Sequence, residues 1–365
     1  MPITQRRWLR WIPAAAVPAV VAAGVLAAGA TAVSPPPPAT PQQVLALAAG
    51  HTARQFSGTL EQSSDLGLPS IPGQALGAAK GSSTLGSEAA LLELLTAPHA
   101  AKVYADGPSK LRVQVLDRLA ERDLVRNGSD AWTYDSGANT VTHAVLPAGP
   151  AASAPSAAAV SPDQLAQRLL ATSGPSTDVA LGDPTTVAGH SAYSLVLTPK
   201  TAATLVASVR IAVEGQTGLP LAVDVYAKGQ EKPAFHSAFT QLDLAAPNAS
   251  VFAFTPPAGA KVTEKPLPQA PAGKAPGAGE PSHSAQQRPA PGTSAAAKGW
   301  DAVVVVPAGK VPAGLADQPL MKQLAAPVAG GRVISSSLFT VFLADDGRLL
   351  AGAVPASVLE AAAAK

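Results

Sequence analysis

The chain has 365 residues, 47% of them hydrophobic and 14% charged, with a formal net charge of +2. That apolar fraction excludes wholesale disorder, and the length is enough for two ordinary domains. The small charge, 4% aromatic content and scattered basic residues give no electrostatic footprint for nucleic acid, and the lack of cysteine excludes disulfides, a thiol nucleophile, zinc-thiolate sites and a lipobox anchor.

At the amino terminus Arg6, Arg7 and Arg10 precede an uncharged apolar run from Ile12 to Val33, which ends near Ala30-Thr31-Ala32. Residues 1–33 therefore read as a signal peptide or, uncleaved, as an N-terminal membrane anchor. The basic residues before the run place the rest of the chain on the outer side of the membrane. The expected location is the extracytoplasmic face of the cell membrane or the cell wall.

After the Pro35–Pro38 spacer, Thr40 is an N-cap and Pro41 suits the first turn of a helix running to about Arg54. Phe56 to Gln62 alternates as a strand. Residues 63–90 are rich in Gly and Ser and read as a loop, with a short helix near Glu88–Leu95. Five short runs follow: Ala101–Tyr104, Lys110–Leu116, Arg118–Arg126, Ala131–Tyr134 and Thr140–Leu146. Asp106-Gly107-Pro108, Asn127-Gly128 and Ser136 to Asn139 separate some of them as hairpin breakers. Asp117, Glu121 and Asp123 among Arg118, Arg122 and Arg126 read as a salt-bridged outer face.

An Ala/Pro/Ser stretch covers about 147–160, and Ser161 then caps a second helix that reaches about Thr172. Strand signals follow at Thr177–Leu181 with Thr186–Ala188, Ser191–Pro199, Ser208–Glu214, Pro220–Ala227 and Ala234–Leu244. Around ten strands and two helices in one unit predict a mainly antiparallel sheet with helices on one side, an α+β architecture. Residues 257–298 are Pro, Ala, Gly, Lys and Gln and read as a linker. From residue 299 to 365 the chain regains pattern. Trp300–Val306 and Arg332–Leu343 read as strands, Leu320–Leu324 as helix, Asp345-Asp346-Gly347 as a hairpin turn before Arg348–Val354, and Pro355–Ala364 as a closing helix. This predicts a small appended α+β module.

No nucleophile elbow, phosphate-binding loop or HExxH occurs, and no two of the six histidines lie four residues apart. No enzyme chemistry, metal site or cofactor is expected. Alternation groups Leu111, Val113 and Val115 on one face, Trp132 with Tyr134, and Tyr193 with Leu195 and Leu197. These eight residues are candidate lining for an apolar ligand pocket, or else fill the core beneath the helices.

Four stretches resemble the LolA-like and RseB-like lipoprotein-carrier fold family. They are Phe56 to Gln62 after an amphipathic helix, Arg122 to Asp135 with its Asn-Gly turn before Trp132-Thr133-Tyr134-Asp135, Arg210 to Leu221 with Thr217-Gly218-Leu219-Pro220, and the closing Phe252 to Pro257. In the third, Glu214 and Gly215 stand where the family usually has an acidic pair. The tail is similar to the small C-terminal module of such proteins in high-GC Gram-positive bacteria. The resemblance implies an unclosed antiparallel half-barrel over residues 40–256 whose apolar cavity binds a lipid or lipoprotein acyl chain. The RseB-like branch implies instead an envelope-stress regulator that binds an anti-sigma factor or another membrane-protein partner.

Overall fold

The computed structural model describes residues 34–51, 53–68, 98–116, 121–146, 161–172, 175–265, 294–296, 299–311, 321 and 324–364. The chain divides into a unit Met1–Ser34 and a unit Pro35–Lys365, and the account below concerns the second. The expected signal segment and the expected helix near Glu88–Leu95 lie outside the described residues, as does most of the expected linker.

Helix α1 (Pro41–Ala49) starts on a capping box. Thr40 Oγ1 accepts from Gln43 N at 3.3 Å, and Gln43 Oε1 accepts from Thr40 N at 2.8 Å. It stops at Gly50, short of the expected Arg54, and buries Val44 and Ala48. Helix α2 (Pro162–Thr172) has the expected bounds, with Ser161 Oγ accepting from Gln164 N at 3.3 Å.

The strands of the main sheet are β1 (Gln55–Ser64), β2 (His99–Asp106), β3 (Lys110–Leu116), β4 (Glu121–Asn127), β5 (Asp130–Asp135) and β6 (Thr140–Val145), followed after α2 by β7 (Thr177–Val187), β8 (His190–Pro199), β9 (Val206–Glu214), β10 (Pro220–Ala227), β11 (Phe235–Asp243) and β12 (Lys261–Glu264). The two expected short strands around residue 181 form the one strand β7, which has a register shift between Gly182 and Thr185. Its Pro184 is tolerated because β7 is an edge strand. The sheet has twelve strands in the order β12-β6-β5-β4-β3-β2-β1-β11-β10-β9-β8-β7. All pairs are antiparallel except β12 with β6, and the sheet is not closed into a barrel. Lys261–Glu264, within the segment read as linker, thus belong to this sheet, and Ser294–Ala296 near its far end belong to the second sheet described below.

The route to β12 explains its parallel sense. After β11 the chain crosses the outer side of β3–β6 through a 3-10 turn, Ala249–Phe252, that buries Phe252. Arg112 Nη1 donates to Val251 O at 3.0 Å, and Phe254 packs against Trp132 and Tyr134. The strand that follows meets β6 from the same end.

The helix-bearing face carries the core. Val44, Ala48 and Ala166 from the two helices meet Leu195, Leu197, Val209, Ile211, Val223 and Val225 of β8–β10. A neighbouring cluster holds Phe56, Leu60, Ala101, Val103, Val113 and Val115 of β1–β3. The Thr217-Gly218 turn seats α1. Gly218 has φ +78°, and a Cβ there would strike the Leu47 carbonyl. Glu214, itself buried, organises this turn: its Oε2 accepts from Gln216 N, Thr217 N and Thr217 Oγ1 at 3.0, 2.5 and 2.7 Å.

The C-terminal residues form a second sheet of β13 (Ser294–Ala296), β14 (Val303–Val306), β15 (Ala326–Val328), β16 (Gly331–Ser335), β17 (Thr340–Ala344) and β18 (Leu349–Gly352), with helix α3 (Ala356–Ala363). The order is β13-β14-β18-β17-β16-β15. The run Arg332–Leu343, expected as one strand, is two strands of a hairpin turning at residues 336–339. Ser336 makes that turn by accepting from Leu338 N and Phe339 N through Oγ. Asp345-Asp346-Gly347 is a hairpin turn as expected. Asp346 accepts from Arg348 N at 2.9 Å and Arg348 Nε at 2.6 Å, and these bonds hold its carboxyl below the usual range.

Candidate functional site

The second sheet is fastened to the first. Trp300 enters the cluster beneath the helices, where its Nε1 donates to Thr177 Oγ1 at 2.7 Å in a buried bond. Thr204 Oγ1 and Leu205 N both donate to Ala353 O, at 2.8 Å each. Ser337 N donates to Leu66 O at 2.9 Å, and Ser337 Oγ to Asp65 O at 3.2 Å. The β7 edge, the β9 entry and the end of β1 are therefore all held by the module.

A cleft of about 170 Å³ lies where the amino end of α2 approaches β1–β3. Its apolar part is Phe56, Val103, Ala105, Leu111 and Val113, and its polar part is His51, Arg54, Ser161, Asp163, Gln164 and Gln167. His51 Nε2 lies 2.9 Å from Asp163 Oδ1, and Gln167 Nε2 donates to the same oxygen at 2.8 Å. The His51 side chain is only 9% exposed, and its Nδ1 is buried with no hydrogen-bond partner among the described residues.

The eight residues singled out by alternation fall into three places. Leu111 and Val113 line the cleft, and Val115 packs into the core beside it. Tyr193, Leu195 and Leu197 share that face of the sheet but are buried under the helices. Both leucines are fully buried, and Tyr193 Oη donates to Pro37 O at 2.8 Å. Trp132 and Tyr134 lie on the opposite face. Val113 pairs with Leu124 and Leu124 with Thr133, which puts Trp132 and Tyr134 with Arg112 and Gln114. There Trp132 stacks on His143 with ring centroids 3.9 Å apart.

Across β4–β6 the helix-bearing face becomes mixed, with Arg122, Arg126, Thr133, Asp135, Thr140 and Thr142 beside Leu124, Ala131 and Ala144. The apolar floor therefore thins beyond β3. The carboxylates read as a salt-bridged outer face divide. Asp123 bonds Arg112 through both oxygens, at 3.2 and 2.6 Å, and is 4% exposed beneath the crossing segment. Burial raises its pKa, against the opposing pull of Arg112. Glu121 accepts from Gln114 Nε2 at 2.8 Å.

His143 forms a second polar cluster on the outer face. Its Nδ1 lies 2.8 Å from Glu264 of β12 and its Nε2 3.0 Å from Asp130 of β5. Loss of water around the ring lowers its pKa, but the bonds to Asp130 and Glu264 together outweigh this, and the net shift is upward.

Sequence reasoning did not single out His51, Arg54, Asp163 and Gln167. Asp163 and Gln167 are a helix pair at i, i+4, a spacing visible in the sequence. Nothing local signals that His51, more than a hundred residues earlier, meets them. Among the described residues no group of three or more His, Cys, Asp or Glu side chains is placed to hold a metal. No helix among them is long and apolar enough to cross a membrane.

No protein-family model matches the chain, and no curated protein matches it. Several solved structures are similar. The complex of Pseudomonas aeruginosa MucA and MucB is matched at 17% identity over 88% of this chain and 96% of that chain, with a TM-score of 0.42. An uncharacterized conserved protein from Thermus thermophilus is matched at 12% identity over 61% of this chain and 98% of that one, with a TM-score of 0.34. A LolA superfamily protein from Nitrosomonas europaea is matched at 12% identity over 60% and 99%, with a TM-score of 0.25. These scores describe a loose likeness of fold, and no activity is taken from them.

Proposed function

We propose that this chain is an exported, non-catalytic regulatory protein of the cell envelope that docks a protein partner, in the manner the RseB-like resemblance implies. The observation that carries the reading is the attachment of the C-terminal module to the main sheet through Trp300, Thr204 and Ser337. A carrier needs an open apolar cavity. Here the helices and the module cover the apolar strands β8–β10, and the cleft described above, among the described residues, measures about 170 Å³. That is below the ~300–1,000 Å³ usual for small-molecule sites. The basic n-region and apolar run in residues 1–33 support export, by a cleaved signal or a single anchor. The division into a half-barrel domain over 40–256 and a module over 299–365 belongs to the same proposal, with the linker narrowed from 257–298 to the stretch between β12 and β13, as does kinship of the module with that of high-GC Gram-positive proteins.

The second reading is a lipid or lipoprotein acyl chain held on Phe56, Val103, Leu111 and Val113, and those apolar walls favour it. Native mass spectrometry of the protein purified from its own envelope separates the two. A stoichiometric protein adduct, at most a membrane protein, is expected. A mass increment of one lipid with no protein adduct would overturn the regulatory reading.

A further inference from the structure

One edge of the main sheet is guarded by a strand that is poorly held. β12 covers β6 in register Lys261–Thr140 to Glu264–His143, and it is the parallel partner in a sheet otherwise antiparallel. Parallel pairing is slightly less stable per residue. All four β12 residues are exposed, so its release uncovers little apolar surface. Its side-chain hold on β6 is the bond of Glu264 to His143, and Glu264 is mostly exposed. Such surface pairs contribute little. The anchors of the crossing segment, Val251, Phe252 and Phe254, lie upstream. β12 can therefore leave β6 without disturbing them.

The edge beneath is a fuller template than β12 uses. Val145 lies past the last registered pair and is 57% exposed, and Val262 is 46% exposed. Both share the outer face with His143, since Val262 pairs with Val141 and Val145 stands two residues from His143. The edge thus offers unused apolar surface beside a ring that already takes a carboxylate.

We propose that β12 is a resident stand-in for an extended segment of the partner polypeptide, which takes its place on β6 with an apolar residue beside Val141, a carboxylate on His143 and a further apolar residue beside Val145. Strand addition of this kind draws affinity from main-chain hydrogen bonds and specificity from alternate side chains. The proposal rests on the protein-partner reading above and gives that partner its chemistry.

The probe is the synthetic peptide Ala-Lys-Val-Thr-Glu-Lys-Val, the sequence of Ala260–Lys265 with a valine added to meet Val145. The resident strand competes at an effective concentration on the order of millimolar, so the full chain is titrated in open, native and locked forms. Thr263→Pro opens the edge. Lys261 N donates to Asn139 O and Lys265 N to His143 O, and the period of two turns Thr263 N the same way. Thr142→Cys with Thr263→Cys, a registered pair in a chain with no other cysteine, locks the edge when oxidised. Saturable binding at least about tenfold tighter in Thr263→Pro than in the wild type is expected, and none in the oxidised form. Replacing the glutamate of the peptide by glutamine should weaken binding about fivefold. Should Thr263→Pro fail to fold, Glu264→Ala loosens β12 by removing only an exposed side chain. Equal binding by open and locked forms, or none by an open form that unfolds cooperatively, would overturn the proposal. Wild-type dimers that disappear on oxidation of the double variant would make the occupant β12 of a second copy and overturn the partner assignment. A protein adduct from the envelope that persists in the oxidised form would also overturn it and leave the regulatory reading standing. Peptide binding with no such adduct from any form would remove the regulatory reading and leave a strand-accepting edge.

Discussion

Trp300 reaches Thr177 across 123 residues of sequence, its indole N–H donating to the threonine hydroxyl at 2.7 Å with both groups buried. The indole ring is packed in the cluster shared by α1, α2 and strands β8–β10. The residue that opens the C-terminal module is thus part of the core of the main sheet. Trp300→Phe keeps most of the apolar contact and strands the Thr177 hydroxyl, at an expected cost of about 1–2 kcal/mol. Trp300→Ala removes the ring as well and should cost about 3–5 kcal/mol. Urea unfolding measures both. If the module were merely tethered, neither substitution would move the midpoint of the main transition.

Glu214 gives a second measurable contribution. One of its oxygens gathers two backbone N–H groups and a hydroxyl from the turn that seats α1. Hydrogen bonds to a charged acceptor contribute about 1.5–3 kcal/mol, and leaving their donors unsatisfied in a buried site adds to the loss. Glu214→Ala should destabilise by about 2–3 kcal/mol, and Glu214→Gln, which keeps an acceptor oxygen, by less. Equal losses in the two variants would mean that side-chain packing and not the turn is responsible.

Much of the fold is legible in the sequence because it rests on local signals. The Thr40 cap of α1, the Ser161 cap of α2 and the alternation in β3 all reappear with the expected roles. The candidate site is only partly legible. Alternation sorts residues within one strand and does not say which set faces the neighbour's inward set. That is decided by the parity of the connections. Leu116 pairs with Glu121 and Asn127 with Asp130, so inward positions pass from odd numbers in β3 to even in β4 and odd in β5. Trp132 and Tyr134 are even-numbered and face away from Leu111. The bound of β4 is what sequence reading lacks, since Arg118–Arg126 read as one run hides the length of the connection. The parallel β12 is illegible for another reason: its four residues are all exposed and have no apolar pattern.

The clasp around His143 predicts a pH dependence. Its folded pKa is raised above the unfolded value of about 6.5. The stabilisation is therefore fully present below about pH 6.5 and is lost as pH rises through the raised folded value. Both carboxylate partners are at least half exposed, so the effect is screened by solvent and salt. Hydrogen exchange at Val262–Glu264, corrected for intrinsic rates, should show protection falling as pH rises above about 6.5. His143→Gln should flatten that profile. His236, also raised, by its bond to Asp224, lies on another part of the sheet and remains in both proteins, so the difference between them isolates the clasp. A wild-type profile parallel to that of His143→Gln would mean the imidazole does not hold β12.

The sharpest comparison is between two leucines on the same face of the sheet. Leu195 is fully buried against the helices, among Val209, Ile211 and Val223. Leu111 is only partly buried, and it forms a wall of the cleft. Leu195→Ala opens a cavity in a packed core and should cost about 2–5 kcal/mol, depending on how far the surroundings relax. Leu111→Ala enlarges a space that already exists, so it loses the transfer term with little new cavity and should cost less than half as much. Urea unfolding of the two variants decides the matter. Equal stability losses would show that Leu111 is ordinary core.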